Sequence, residues 1–185
     1  MAESARKPAT YQDVLDAPPE KVAEVVAGEL YLSPRPRARH GLASGELFGE
    51  LRSSFGRRGG GPGGWVFLIE PELHLGDAIL VPDVAGWLIT RFPVEDLAFF
   101  SAPPDWVCEV LSLSTARLDR LRKLPLYAAQ GVRFAWLVDP ETRTLEAYRN
   151  EGGRWLQLGV FGDDAKVKAE PFEAMELQLD RLWNP

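Results

Sequence analysis

Only one cysteine, Cys108, and two histidines, His40 and His74, occur in the 185 residues. A lone thiol excludes an internal disulfide and any cysteine-based zinc centre. The two histidines are too few and too far apart in sequence for a histidine zinc site. Cys108 lies in an apolar run and reads as a small buried hydrophobe, which goes with cytoplasmic residence. Long apolar runs are missing too: nothing approaches the roughly 20 residues that span a bilayer, so no membrane association is expected. Met1 to Thr10 has no apolar core, so no signal peptide is expected. Positive charge is in the minority, 21 Lys and Arg against 27 Asp and Glu, for a net charge of -6. That argues against general coating of nucleic acid, which needs many phosphate contacts. It leaves room for an enzyme with a local basic rim around acidic residues. What is present, 45% hydrophobic and 26% charged residues, is the balance of a globular protein with a real core. The expected organisation is a frayed tail over 1–9 and one domain over 10–185.

Taken in order, Thr10 can cap a short helix to about Leu15, stopped by Pro18 and Pro19. Two β-prone runs, Val22 to Val26 and Glu29 to Leu32, surround Ala27-Gly28 and predict a hairpin. Ser33 to Arg39 is an extended basic segment. From His40 to about Phe55 the spacing of Leu42, Ala43, Leu47, Leu51 and Phe55 predicts a helix. The glycine-rich stretch Gly56–Gly64 lacks the Lys-Ser/Thr ending of a phosphate-binding loop. It reads as a linker whose Arg57 and Arg58 are possible phosphate contacts. One strand is predicted over Trp65–Leu75 and a second over Ile79–Thr90, with Pro82 marking an edge or bulge in the second. Trp106–Leu111 is an apolar strand interrupted by Glu109. The helix after it has Leu118, Leu121, Leu124 and Leu126 as its apolar side, with Asp119, Arg120 and Lys123 on the polar side. Gly131 ends that helix. Phe134–Val138 reads as a central strand, and Thr144–Tyr148 and Trp155–Val160 as further strands.

Four ionisable residues stand where a structural role is awkward: Glu24, Asp83, Glu109 and Lys123. The three acids lie in apolar strands, where an unpaired carboxylate is costly. An acid so placed can face solvent on a one-sided sheet, pair with a base, or ligate a metal. Oxygen ligands suit Mg²⁺ or Mn²⁺. With a neighbouring ammonium they fit hydrolysis of a phosphodiester.

Val81-Pro82-Asp83-Val84, Glu109-Val110-Leu111-Ser112, Asp119 followed by Lys123, Tyr127, Gly131-Val132 and Trp136 to Pro140 resemble, in this order, the Uma-type restriction endonuclease family. That family is part of the PD-(D/E)XK nuclease superfamily. Glu24 to Leu30, Ser33-Pro34 and His40 resemble its N-terminal signature. The match runs from about Tyr11 to Trp183. The resemblance implies an α/β fold: a restriction-endonuclease-like central mixed β-sheet flanked by helices, with extra β-hairpins. It implies a Mg²⁺ (or Mn²⁺) site held by Asp83 and Glu109, with Lys123 and Glu24 completing the catalytic set. The superfamily places a lysine two positions after the second acid. Leu111 stands there, and Lys123 on the next helix matches the Uma-type position instead. Leu113 replaces a usual proline and Arg133-Phe134-Ala135 a usual Pro-Glu-Tyr, neither at a proposed ligand. His40, Arg39 and Asp119 are the candidate substrate contacts. The expected activity is metal-dependent cleavage of nucleic acid, with DNA the preferred expectation, by a chain that could pair as a homodimer. The alternative is a nuclease-fold protein that binds nucleic acid or a protein partner without cutting.

Overall fold

The computed structural model describes residues 7–56, 62–93 and 95–184. Arg57 and Arg58 lie outside the described residues. The chain begins with α1 (Tyr11–Leu15), β1 (Lys21–Val26), β2 (Glu29–Pro34) and α2 (Ala38–Phe55). Five strands follow: β3 (Trp65–Ile69), β4 (Leu73–Leu75), β5 (Ala78–Leu80), β6 (Val84–Leu88) and β7 (Trp106–Val110). Next come α3 (Ala116–Leu118), a π-helical turn (Asp119–Lys123) and α4 (Leu124–Ala129). The chain ends with β8 (Phe134–Asp139), β9 (Thr144–Glu151), β10 (Arg154–Gly162), β11 (Lys166–Val167), β12 (Leu177–Gln178) and α5 (Asp180–Trp183).

Thr10 starts α1 as its composition predicts, its backbone N–H donating to Asp13 Oδ2 at 2.7 Å. Ala27 and Gly28, both at positive φ, make the tight turn between β1 and β2. The antiparallel register of that hairpin places Glu24 opposite Tyr31. α2 starts two residues earlier than the apolar spacing predicts, which puts Arg39 on the helix. Its Ala43, Leu47, Leu51 and Phe55 are buried.

Each of the two long strands predicted over 65–75 and 79–90 is in fact two strands, because prolines interrupt both. Pro71 separates β3 from β4, and Pro82 separates β5 from β6. The outer pair β3 and β6 belongs to a six-stranded sheet, order β10-β9-β8-β7-β6-β3. The inner pair β4 and β5 belongs to a four-stranded sheet, order β2-β1-β5-β4. At the break the Glu70 N–H donates to the Asp83 carbonyl at 3.1 Å, so the two interruptions lie side by side. The large sheet is mixed: β7 and β8 run parallel through the helical crossover, and its other pairs are antiparallel.

Alternation along β7 sorts its side chains. Trp106, Cys108 and Val110 enter a core built on α2, Trp136, Phe172 and Leu182. Val107 and Leu111 enter a second core with Val26, Trp87, Tyr127 and Leu137. Glu109 falls between Val107 and Leu111 and so faces that second core. Each fully buried large apolar side chain stabilises by about 1.5–3 kcal/mol.

The helical crossover corrects the predicted amphipathicity. Leu121 is 55% exposed, whereas Asp119 and Lys123, assigned to the polar side, are buried at 3% and 2% exposure. The π turn explains part of this. Pro125 has no N–H to continue a regular ladder, and just before it the Leu124 N–H donates to the Asp119 carbonyl five residues back. The wider turn departs from the 3.6-residue period on which the prediction rested.

Candidate active site

The second core is where β1, the β5–β6 break, β7 and the π turn meet. β1, the break and β7 each contribute one charged side chain to it, and the π turn contributes two. Glu24 shares a face of β1 with Val26, Glu109 shares a face of β7 with Val107, and Lys123 and Asp119 come from the crossover. Lys123 Nζ lies 2.8 Å from Glu24 Oε1, 2.9 Å from Glu109 Oε1 and 3.7 Å from Asp119 Oδ1. Glu24 Oε1 also accepts the Val81 N–H at 2.8 Å, which ties β1 to the strand break. Asp83 is held at both oxygens: Oδ2 accepts the Val110 N–H at 2.7 Å and Oδ1 lies 2.5 Å from His40 Nε2. Tyr127 donates its hydroxyl to Glu109 Oε1 at 2.7 Å.

Burial sets the electrostatics. It pushes Glu109 well above the usual carboxylate range; Lys123 opposes the rise, while Asp119, Asp83 and Glu24 add to it. Burial likewise raises Asp119 to about 6 against the pull of Lys123. Burial alone would lower the Lys123 ammonium, but Glu109 and Glu24 hold it well above its ordinary value. Burial also works to lower His40, and its hydrogen bond to Asp83 together with the charges of Asp83, Asp119 and Glu70 outweighs that and raises it. Tyr127 is pushed up by burial and by Glu109.

Over this cluster opens a cavity of about 320 Å³ whose walls include Glu24, Asp83, Glu109, Asp119 and Lys123. Its rim carries Arg35, Arg37, Arg39 and His40. All seven candidate residues from the sequence therefore border one space. Arg39 stands apart from the rest, its guanidinium pairing with Glu141 at 3.3 Å. Two features escaped the sequence reading. Tyr127 is among the residues that carry the family resemblance, but nothing in the sequence pairs it with Glu109. His40, a candidate substrate contact, reaches across to Asp83, a pairing nothing in the sequence shows.

Among known proteins, the model of the Uma2 family, described as putative restriction endonuclease, matches residues 8–181. The chain belongs to this family. No curated protein matches the chain. Among solved structures, a protein from Anabaena variabilis, titled a putative nuclease belonging to DUF820, superposes with a TM-score of 0.77 at 25% identity. The match covers 95% of this chain and 98% of that one. The Uma2 assignment and this likeness agree with the nuclease-like α/β fold read from the sequence.

A divalent cation is the group this family implies. The donor chemistry fits one: Glu24, Asp83, Glu109 and Asp119 offer hard oxygen ligands, and they outnumber the single ammonium of Lys123. Among the described residues no three His, Cys, Asp or Glu side chains converge tightly enough to form a ligand set by themselves.

Proposed function

We propose that the protein is a divalent-metal-dependent nuclease that hydrolyses phosphodiester bonds of nucleic acid, with DNA the favoured substrate. The observation that carries this reading is the convergence of Glu24, Asp83, Glu109 and Lys123, from four separate segments, on the floor of one cavity. Family membership supports the same class. Asp83 and Glu109 would hold Mg²⁺ or Mn²⁺, with Glu24 assisting. Bound there, the cation would polarise a phosphoryl oxygen and offset charge developing on it.

The chain's own groups do the rest. Lys123 Nζ can donate to the attacking water and fix its direction. The His40 ring and the Val110 N–H fix both oxygens of Asp83, so its carboxylate presents one orientation. Tyr127 does the same for Glu109. The rim arginines supply the cations that phosphates require on an acidic protein. Cytoplasmic residence, and pairing of two copies for a double-strand cut, belong to the same proposal.

The test is Mn²⁺ calorimetry on wild type and on Asp83→Ala combined with Glu109→Ala. The same samples are then given labelled single- and double-stranded DNA and RNA. Asp83→Ala should abolish cleavage with circular dichroism unchanged, and activity surviving that change would sink the site assignment. A second reading, nucleic-acid binding without cleavage, is favoured by one observation: Lys123 already engages Glu24 and Glu109. Binding that needs no metal and is followed by no cleavage selects it.

A further inference from the structure

Past the Arg39–Glu141 ion pair lies a second cavity of about 200 Å³. It shares Arg39, Pro140 and Glu141 with the cavity over the acids, so the two spaces adjoin. Its remaining walls are Arg143, Leu182 and Trp183. Three distant parts of the chain build it: Arg39 of α2, the turn between β8 and β9, and α5.

Three properties of this wall point to one ligand chemistry. Arg143 is exposed, and among the described residues neither it nor Arg37 has a carboxylate within ion-pair reach. On a chain of net charge -6, four arginines (Arg35, Arg37, Arg39 and Arg143) border these two adjoining spaces. Guanidinium groups are the side chains best suited to bind phosphates. Trp183 is half-buried, and its indole N–H donates to the Asp163 carbonyl at 2.7 Å, which fixes the ring at the cavity wall. A held indole beside cations is the combination that stacks unpaired bases. A space of about 200 Å³ has room for one base.

We propose that the two cavities form one groove for a single nucleic-acid strand, its scissile phosphate over the acids, a flanking phosphate on Arg39 and Arg143, and a flanking base against Trp183. This inference rests on the nuclease reading and adds a substrate class to it: a single strand or a frayed end rather than continuous duplex.

The experiment is fluorescence anisotropy of a short fluorescein-labelled single-stranded DNA, and of the same strand annealed to its complement. EDTA is present so that binding is read without cleavage, and the titrations are repeated across a NaCl series. Wild type should bind the single strand more tightly than the duplex. Arg143→Asn, which suits the positive φ at that position, and Trp183→Leu should each weaken single-strand binding about tenfold. Arg143→Asn should also flatten the salt slope by about 0.7, and Trp183→Phe should retain most of the affinity. Arg154→Ala, an exposed change outside both cavities, should bind as wild type does. Because Arg143 is exposed, its variant decides the matter even where Trp183→Leu unfolds. Unchanged affinity and slope in Arg143→Asn, or tighter binding of duplex by wild type, overturns the groove while cleavage by wild type leaves the nuclease reading standing. A wild type that neither binds nor cuts overturns both.

Discussion

Lys123 sets one positive charge against three buried carboxylates, and the imbalance has a measurable cost. Asp119 bears part of it, its pKa raised from 3.8 to about 6 by burial. A raised acid binds its proton more tightly in the folded state than in the unfolded chain. Its contribution to stability is therefore fully present below about pH 4 and declines as pH rises toward 6, remaining low above that. Two pKa units at ~1.36 kcal/mol each bound the effect at roughly 3 kcal/mol. Asp119→Asn removes this titration. The stability of the variant relative to wild type should increase between pH 4 and pH 7. Urea midpoints at the two pH values measure it, and a constant difference between them would refute it.

At the scale of elements, the acids were legible and the crossover was not. Glu24, Asp83 and Glu109 announced themselves because a carboxylate in an apolar strand needs a reason to be there. Lys123 stood out with them, but its burial did not, since a 3.6-residue period assigns Asp119 and Lys123 to solvent, and only the π turn before Pro125 departs from that period. Pro71 hid the break between β3 and β4 for a related reason: alternating apolar residues continue on both sides of it. The sheets themselves are closely fitted. A Cβ built on Gly86 of β6 would lie 3.0 Å from Phe67 Cδ1 and 3.3 Å from Trp106 Cε3, both in neighbouring strands. Gly86→Ala should therefore destabilise by about 1–3 kcal/mol through overpacking. Chemical denaturation measures it, and a variant as stable as wild type would show that β3 and β7 yield without cost.

For the whole molecule, net charge and local charge act in opposite directions. An acidic surface repels a polyanion at long range, so binding in the proposed groove would have to come from its few arginines. With about three phosphates neutralised, affinity should fall roughly 20- to 40-fold between 50 and 200 mM salt. A steeper loss in equilibrium titrations would mean that a larger basic surface takes part. The strands β7 to β10 followed from apolar runs and turn residues in the sequence, because those encode local geometry, and the mixed central sheet followed from the family resemblance. The pairing of β1 with β5 in the smaller sheet did not, because it depends on contacts between residues far apart in sequence, such as Val25 with Ile79. Cys108 gives that architecture a chemical clock. The thiol is fully buried in β7, and burial first, then Asp83 and Glu109, push it well above its ordinary pKa. A disulfide reagent can reach it only when the central sheet parts. Its modification rate therefore counts openings of the strand that carries Glu109, and Mn²⁺ bound beside that strand should slow the count.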